Sequence, residues 1–117
     1  MQYNFNNEYP IYLQIVEIIT SEITSGTLKP GEKLLSVREY AQKFRVNPNT
    51  VVKALSILED DKLIYTERTN GKFVTNDEEL IKNFKEKNIM KKLDDFLGEM
   101  NQLGYSKEEI IKMLKEK

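Results

Sequence analysis

The 117-residue sequence contains no cysteine, no histidine and no tryptophan. Without cysteine the chain can form neither a disulfide nor a thiolate metal site, and without histidine it lacks the commonest general base and metal ligand. No apolar run approaches the roughly 20 residues that span a bilayer, and the polar first residues are not typical of a signal peptide. We therefore expect a cytoplasmic protein that makes no use of a membrane, a metal or a cofactor.

The acidic residues are not arranged for catalysis. Neighbouring carboxylates include Asp60-Asp61, Asp94-Asp95 and Glu108-Glu109. Neighbouring residues on a helix point about 100° apart, so these pairs do not converge on one site. The sequence also has no glycine-rich phosphate loop, and it therefore predicts a protein that is not an enzyme.

Positive charge is concentrated in one part of a chain whose net charge is only −1. Residues 1–28 carry three carboxylates and no cation, whereas residues 29–53 carry six cations and two carboxylates, a net charge of +4. A local excess of cations is typical of a surface that binds nucleic acid.

The same region has the pattern of two short helices joined by a tight turn. Ser36 and Glu39 form a capping box, and Asn47 followed by Pro48 is a strong signal for the start of a second helix. Apolar residues recur at helical spacing in both segments: Val37, Tyr40, Ala41 and Phe44 in the first, and Val51, Ala54, Leu55 and Leu58 in the second. This periodicity buries one face of each helix.

The outer face of the second helix carries residues that can read DNA. Asn49 can pair with adenine through two hydrogen bonds, and Thr50 offers a hydroxyl and a methyl group that suits thymine. Lys53 can reach a phosphate or a guanine, and Asn47 can cap the helix while its backbone N–H meets a phosphate. The pattern is that of a recognition helix in the major groove.

A β-hairpin is predicted after the second helix. Residues 63–67 and 72–75 have strand character, and Asn70-Gly71 is a strong signal for the turn between them. Arg68 and Lys72 place two cations at the tip.

These segments together resemble the winged helix-turn-helix of the GntR family of bacterial transcription regulators. The resemblance rests on Pro30-Gly31-Glu32-Lys33-Leu34, Ser36-Val37-Arg38-Glu39, Val46-Asn47-Pro48-Asn49-Thr50-Val51, Lys53-Ala54-Leu55, Leu58-Glu59, Leu63-Ile64 and Gly71-Lys72-Phe73-Val74. The segment VNPNTV and the short C-terminal part are most similar to the YtrA subfamily. The resemblance implies a mainly α fold with a small β-hairpin wing, followed by a short C-terminal helical dimerisation tail.

The resemblance also implies roles for single residues. Arg38 corresponds to a family arginine that contacts DNA, and Gly71 is the second of two wing glycines, with Thr69 at the position of the first. Leu35 stands where the family has proline. Arg45 stands where the family commonly has glycine, and we expect strain there if its φ is positive.

The ends of the chain carry further helical signals. Residues 1–9 suggest an extended arm, followed by a helix from Pro10 to about Ser25. Asn76 is expected to cap a long helix, and Ser106 with Glu109 predicts a final one. Apolar residues spaced by four and three form a seam on the long helix: Ile89, Leu93, Phe96, Met100 and Leu103.

We expect two domains, a winged helix-turn-helix over residues 1–76 and a two-helix dimerisation region over residues 77–117. The seam favours a homodimer, with exchange of the tail helices or packing of the tail onto its own wing domain as open alternatives. No residue cluster demands a small-molecule effector, although the sequence leaves its existence open.

The sequence thus predicts a homodimeric, sequence-specific DNA-binding regulator, by family a repressor, acting on a pseudo-palindromic operator. The alternative is a helical protein-interaction module without sequence-specific DNA binding. The candidate DNA-binding residues are Ser36, Arg38, Asn47, Asn49, Thr50, Lys53, Arg68, Gly71 and Lys72.

Overall fold

The computed structural model describes residues 4–117. The elements in chain order are α1 (Ile11–Thr24), α2 (Val37–Phe44), α3 (Pro48–Asp60), β1 (Ile64–Glu67), β2 (Gly71–Val74), α4 (Glu78–Gln102) and α5 (Lys107–Lys115). The predicted mainly α fold with a small β-hairpin is confirmed. Residues 1–3, the first part of the predicted arm, lie outside the described residues.

Helix α1 supplies one side of the hydrophobic core. It begins directly after Pro10, and Ile15, Ile19 and Ile23 are at most 2% exposed. The helix ends close to the predicted Ser25, and Gly26 follows with φ of +84°, a conformation common after a helix end.

Helix α3 lies at the centre of the fold and contacts α1, α2 and β1. Its predicted apolar stripe is buried, with Val51, Ala54, Leu55 and Leu58 at most 1% exposed. Tyr40 and Phe44 of α2 stack with ring centroids 5.6 Å apart, so both apolar faces of the helix pair enter the same core.

Two helices end on a residue in the left-handed conformation that is not glycine. Arg45 follows α2 with φ of 57°, so the condition stated for strain at this position is met, and Val46 N–H donates to the Ala41 carbonyl oxygen at 3.0 Å. Lys62, two residues after the end of α3, has φ of 64°, which was not predicted. After each of these residues, the next backbone N–H donates to the carbonyl oxygen five residues earlier: Val46 to Ala41, and Leu63 to Leu58. This hydrogen bond is typical of a Schellman motif.

The hairpin forms as predicted, with strand ends that differ from the predicted ones by at most one residue. Strands β1 and β2 pair antiparallel with Ile64 opposite Val74. A third segment pairs with the other edge of β2: Leu34 N–H donates to the Lys72 carbonyl oxygen at 2.8 Å, and Val74 N–H donates to the Glu32 carbonyl oxygen at 2.9 Å. The base of the hairpin is therefore held on both sides of β2.

The arm before α1 is tied down by a buried amide. Gln14 is 6% exposed, and its side chain donates to the carbonyl oxygens of Asn6 and Tyr9 at 2.9 and 2.8 Å. It also accepts from Asn6 N–H at 3.1 Å. The Phe5 ring meets the Phe44 ring edge to face, so the described part of the arm packs onto the helical core.

The prediction that Asn76 caps α4 is wrong. Asp77 accepts a hydrogen bond from Leu80 N–H at 3.0 Å and is the capping residue. The Asn76 side chain instead lies beside Gly31, where a Cβ atom would come within 2.6 Å of Asn76 Oδ1. The local cap signal was ambiguous because Asn76 and Asp77 are both good capping residues.

The chain divides into two compact units, residues 1–82 and 83–117, with the boundary inside α4. In the second unit, Gly104 follows α4 with φ of +96°, and Ser106 with Glu109 forms the predicted capping box. Large apolar side chains are exposed along α4, with Ile89 at 47%, Leu93 at 48% and Phe96 at 40%. Within residues 4–117, no helix has the length and apolar character needed to span a membrane.

Candidate nucleic-acid interface

The start of α3 is presented to solvent with its backbone ordered by a cap. Asn47 Oδ1 accepts a hydrogen bond from Asn49 N–H at 2.8 Å, and Pro48 occupies the first helical turn. Asn47 and Asn49 are exposed, whereas Thr50 is half-buried. Because the opposite face of α3 is buried, this helix start is held rigidly while its polar side chains remain accessible.

The start of α2 is capped in the same way. Ser36 N–H donates to Glu39 Oε1 at 2.9 Å, and Glu39 N–H donates to Ser36 Oγ at 3.1 Å. The pKa of Glu39 is held below its ordinary value. The largest cause is the hydrogen bond from Ser36 N–H, followed by the hydrogen bond with the Ser36 side chain and the charge of Lys33. Arg38 is exposed on this first turn, where its guanidinium is free of the capping bonds.

Lys53 lies on α3 but points toward α1. Its Nζ atom is 4.1 Å from the centroid of the Tyr12 ring, a cation–π contact. Since the side chain is exposed, the contact orients the ammonium group without burying it.

The two cations of the hairpin have different surroundings. Arg68 is exposed in the turn, where Asn70 Nδ2 donates to Glu67 Oε2 at 3.1 Å. Lys72 Nζ forms a salt bridge with Glu59 Oε1 at 3.1 Å and donates to Thr66 Oγ1 at 2.8 Å. Lys72 therefore links the hairpin to the last turn of α3, and a phosphate would compete with Glu59 for its charge.

The Glu59 carboxylate is the acceptor at the centre of this cluster. The Thr66 hydroxyl donates to Glu59 Oε1, as does the Lys72 ammonium. These two hydrogen bonds, the one from Thr66 first, hold the pKa of Glu59 below its ordinary value. The cluster fixes β1 and β2 relative to α3 through side chains as well as through the core.

Gly71 begins β2 with φ of +103°, a conformation that side-chain-bearing residues rarely adopt. A Cβ atom there would also come within 3.2 Å of Lys33 Cε. Lys33 is thus a neighbour of the hairpin, and it was not among the predicted DNA-binding residues. Its position depends on how residues 31–34 pair with β2, which no local sequence signal reveals.

The predicted site residues occupy three surface regions of the first unit. Ser36 and Arg38 lie at the start of α2, Asn47, Asn49, Thr50 and Lys53 on α3, and Arg68, Gly71 and Lys72 on the hairpin. Among residues 4–117, no group of three or more His, Cys, Asp or Glu side chains is arranged to hold a metal ion. The arrangement offers hydrogen-bond donors, acceptors and cations to an extended polar surface.

Comparison with known proteins shows which family shares these features. Residues 11–74, from the start of α1 to the end of β2, match the family of bacterial regulatory proteins described as the gntR family. The chain is 36% identical over 115 residues to the uncharacterized HTH-type transcriptional regulator YhcF of Bacillus subtilis, covering 98% of this chain and 95% of that relative. It is 44% identical over 66 residues to the HTH-type transcriptional repressor YtrA of the same organism, covering 56% of this chain and 51% of YtrA.

Solved structures extend the similarity to the whole fold. A GntR family transcriptional regulator from Listeria monocytogenes has a TM-score of 0.87 and 46% identity, covering 97% of this chain and 99% of that one. The AraR DNA-binding domain in complex with operator ORX1 has a TM-score of 0.57 and 32% identity, covering 64% of this chain and 92% of that domain.

The hairpin and helix pair are thus the wing and the helix-turn-helix of a known DNA-binding architecture. The operator complex of a similar domain shows that this architecture engages double-stranded DNA. The resemblance seen in the sequence is confirmed, including its relation to YtrA-type regulators. The chain belongs to the GntR family and is a sequence-specific DNA-binding transcription regulator.

Proposed function

We propose that the protein is a homodimeric repressor that binds a pseudo-palindromic operator in the cytoplasm, and that it acts through binding and not through catalysis. The observation that carries this proposal is the exposed, capped start of α3 on a helix whose other face is almost completely buried. A helix held in this way can enter the major groove without losing its own packing.

Base reading is assigned to the first turn of α3. Asn49 is exposed and its backbone N–H is already satisfied by Asn47, which leaves the Asn49 side-chain amide available for a base edge. Thr50 adds a hydroxyl and a methyl group beside it. The backbone N–H groups at the starts of α2 and α3, capped by Ser36 and Asn47, lie where phosphates bind helix N-termini.

Cations around the two helix starts are assigned to the DNA backbone. Arg38 on α2 and Arg68 on the wing are exposed and form no salt bridge among residues 4–117. Lys53 and Lys72 already have partners, so they contribute charge from fixed positions. Gly71 lets the backbone of the wing approach the minor groove closely.

The dimer is assigned to a region over residues 77–117. Ile89, Leu93 and Phe96 follow one another at spacings of four and three along α4, and each is at least 40% exposed. A second copy of the same seam would bury these side chains. We expect Leu93→Glu to give a monomer in sedimentation velocity, whereas Lys91→Glu on the same helix leaves the dimer intact. Dimers of unchanged stability with Leu93→Glu would contradict this assignment.

The operator can be found by selecting bound sequences from random duplex DNA at about 150 mM salt, where weak electrostatic binding is suppressed. We expect a two-fold symmetric motif. Asn49→Ala should remove the base preference at one position of each half-site, a loss of about 1–3 kcal/mol of discrimination against the wrong base. Arg38→Ala should lower the affinity for all DNA sequences alike. Recovery of no motif, or of a motif without symmetry, would contradict the proposal.

Repression is supported by the similarity to known repressors, among them the transcriptional repressor YtrA. A reporter gene placed behind the selected operator tests the sign of regulation. Expression should fall when the protein is supplied and recover with Asn49→Ala. Higher expression with the wild-type protein would instead identify an activator.

A further inference from the structure

Lys33 lies at the base of the wing because of the strand-like pairing before α2. Its backbone forms an antiparallel bridge with Phe73, and the next residue, Leu34, donates to the Lys72 carbonyl oxygen. This pairing carries the Lys33 side chain across the start of β2. There its Cε and Nζ atoms lie 3.2 and 3.9 Å from the position that a Cβ atom on Gly71 would occupy.

The same side chain also acts on the start of α2. After the two hydrogen bonds with Ser36, the positive charge of Lys33 is a further cause of the lowered pKa of Glu39. The Lys33 ammonium therefore lies near both the wing glycine and the capping box of α2. These are two of the three regions assigned above to DNA, and Lys33 connects them.

Lys33 differs from two other lysines of the interface, whose ammonium groups already have a partner. Lys72 is paired with Glu59, and Lys53 lies over Tyr12. Lys33 is exposed and forms no salt bridge within the described part of the chain. The Glu39 carboxylate, whose pKa the charge of Lys33 helps to lower, is already held by Ser36 N–H.

We propose that Lys33 is a further DNA-binding residue, which contacts a phosphate between the wing and the start of α2. The bare backbone at Gly71 leaves room for the lysine side chain to reach that phosphate. This inference deepens the proposed function and rests on it. It also gives Gly71 a second role, beside the close approach of the wing backbone to DNA.

The salt dependence of DNA affinity tests the proposal. Each phosphate contact contributes about −0.9 to the slope of log affinity against log salt concentration. Lys33→Gln should make the slope shallower by about 0.9 for each protomer at the DNA, hence about 1.8 for a dimer. Lys33→Arg should keep the wild-type slope. Lys62→Gln, which removes an exposed lysine at the far end of α3, is the matched control and should also keep it.

Affinities are measured by fluorescence anisotropy on the selected operator and on a scrambled duplex of equal length. A phosphate contact changes the slope on both duplexes. An unchanged slope with Lys33→Gln on both, or an equal change with Lys62→Gln, would overturn the role of Lys33. Equal wild-type affinity for the two duplexes would instead contradict the proposed function, and the slopes would still report on Lys33.

Discussion

Arg45 holds a backbone conformation that a glycine would adopt more easily, so Arg45→Gly should stabilise the protein. With φ of 57° and ψ of 51°, the residue lies in the left-handed region, where an L-residue loses roughly 1–2 kcal/mol. Glycine avoids this loss but has more freedom to lose on folding, roughly 0.5–1 kcal/mol. The net gain expected for Arg45→Gly is therefore about 0.5–1 kcal/mol of unfolding free energy.

The matched control is Arg45→Ala, which removes the guanidinium but retains the Cβ atom that causes the strain. Urea unfolding followed by circular dichroism should place the Arg45→Gly midpoint above the wild type by about 0.5 M. The Arg45→Ala midpoint should lie at or below the wild type. Protein concentration must be the same for all variants, because assembly shifts apparent stability.

The comparison between glycine and alanine isolates the backbone term. If Arg45→Gly unfolds at the same or a lower urea concentration than Arg45→Ala, the left-handed conformation does not strain the chain. The reasoning from φ would then be refuted, whatever the side chain contributes.

Two further predictions concern polar clusters. The hydrogen bonds from Thr66 and Lys72 lower the pKa of Glu59 on folding. The ionised Glu59 carboxylate therefore stabilises the folded state above the ordinary glutamate pKa of 4.5, and this stabilisation is lost as pH falls through the lower pKa of the folded state. Glu59→Gln should therefore lower the unfolding free energy at pH 7. It should also make the unfolding free energy fall less steeply between about pH 5 and pH 3. Urea unfolding at several pH values measures this fall, and a fall equal to that of the wild type would contradict the reasoning. Gln14→Leu should cost roughly 1–3 kcal/mol because backbone groups of Asn6 and Tyr9 lose their partner, and it should speed proteolysis in residues 5–9, whereas Gln14→Glu should keep at least one of these bonds. Unchanged cleavage of Gln14→Leu would show that the amide does not hold the arm.

Local chemistry made several helix starts and turns predictable in both units. The capping boxes at Ser36 and Ser106, the cap at Asn47 and the turn before Gly71 each depend on residues close in sequence. For Arg45 the resemblance, through the glycine that the family commonly has there, raised a positive φ only as a condition for strain, and the structure shows that this condition is met.

Contacts between distant segments were not predictable from the sequence. The salt bridge between Glu59 and Lys72 depends on how the hairpin meets the end of α3, and the contact of Lys53 with Tyr12 depends on how α1 crosses α3. The position of Lys33 depends on the register of residues 31–34 against β2. These are the features that distinguish a free cation on the interface from one that is already paired.

The pairing of β2 on both edges separates two parts of the wing that can change independently. From Gly71 onward, the backbone of β2 is fixed by β1 on one side and by residues 31–34 on the other, and this part forms the base of the wing. Between β1 and β2, the turn of Arg68, Thr69 and Asn70 is exposed and makes none of these hydrogen bonds to residues 31–34. Insertions in that turn would therefore lengthen the reach of the wing without disturbing the pairing at its base.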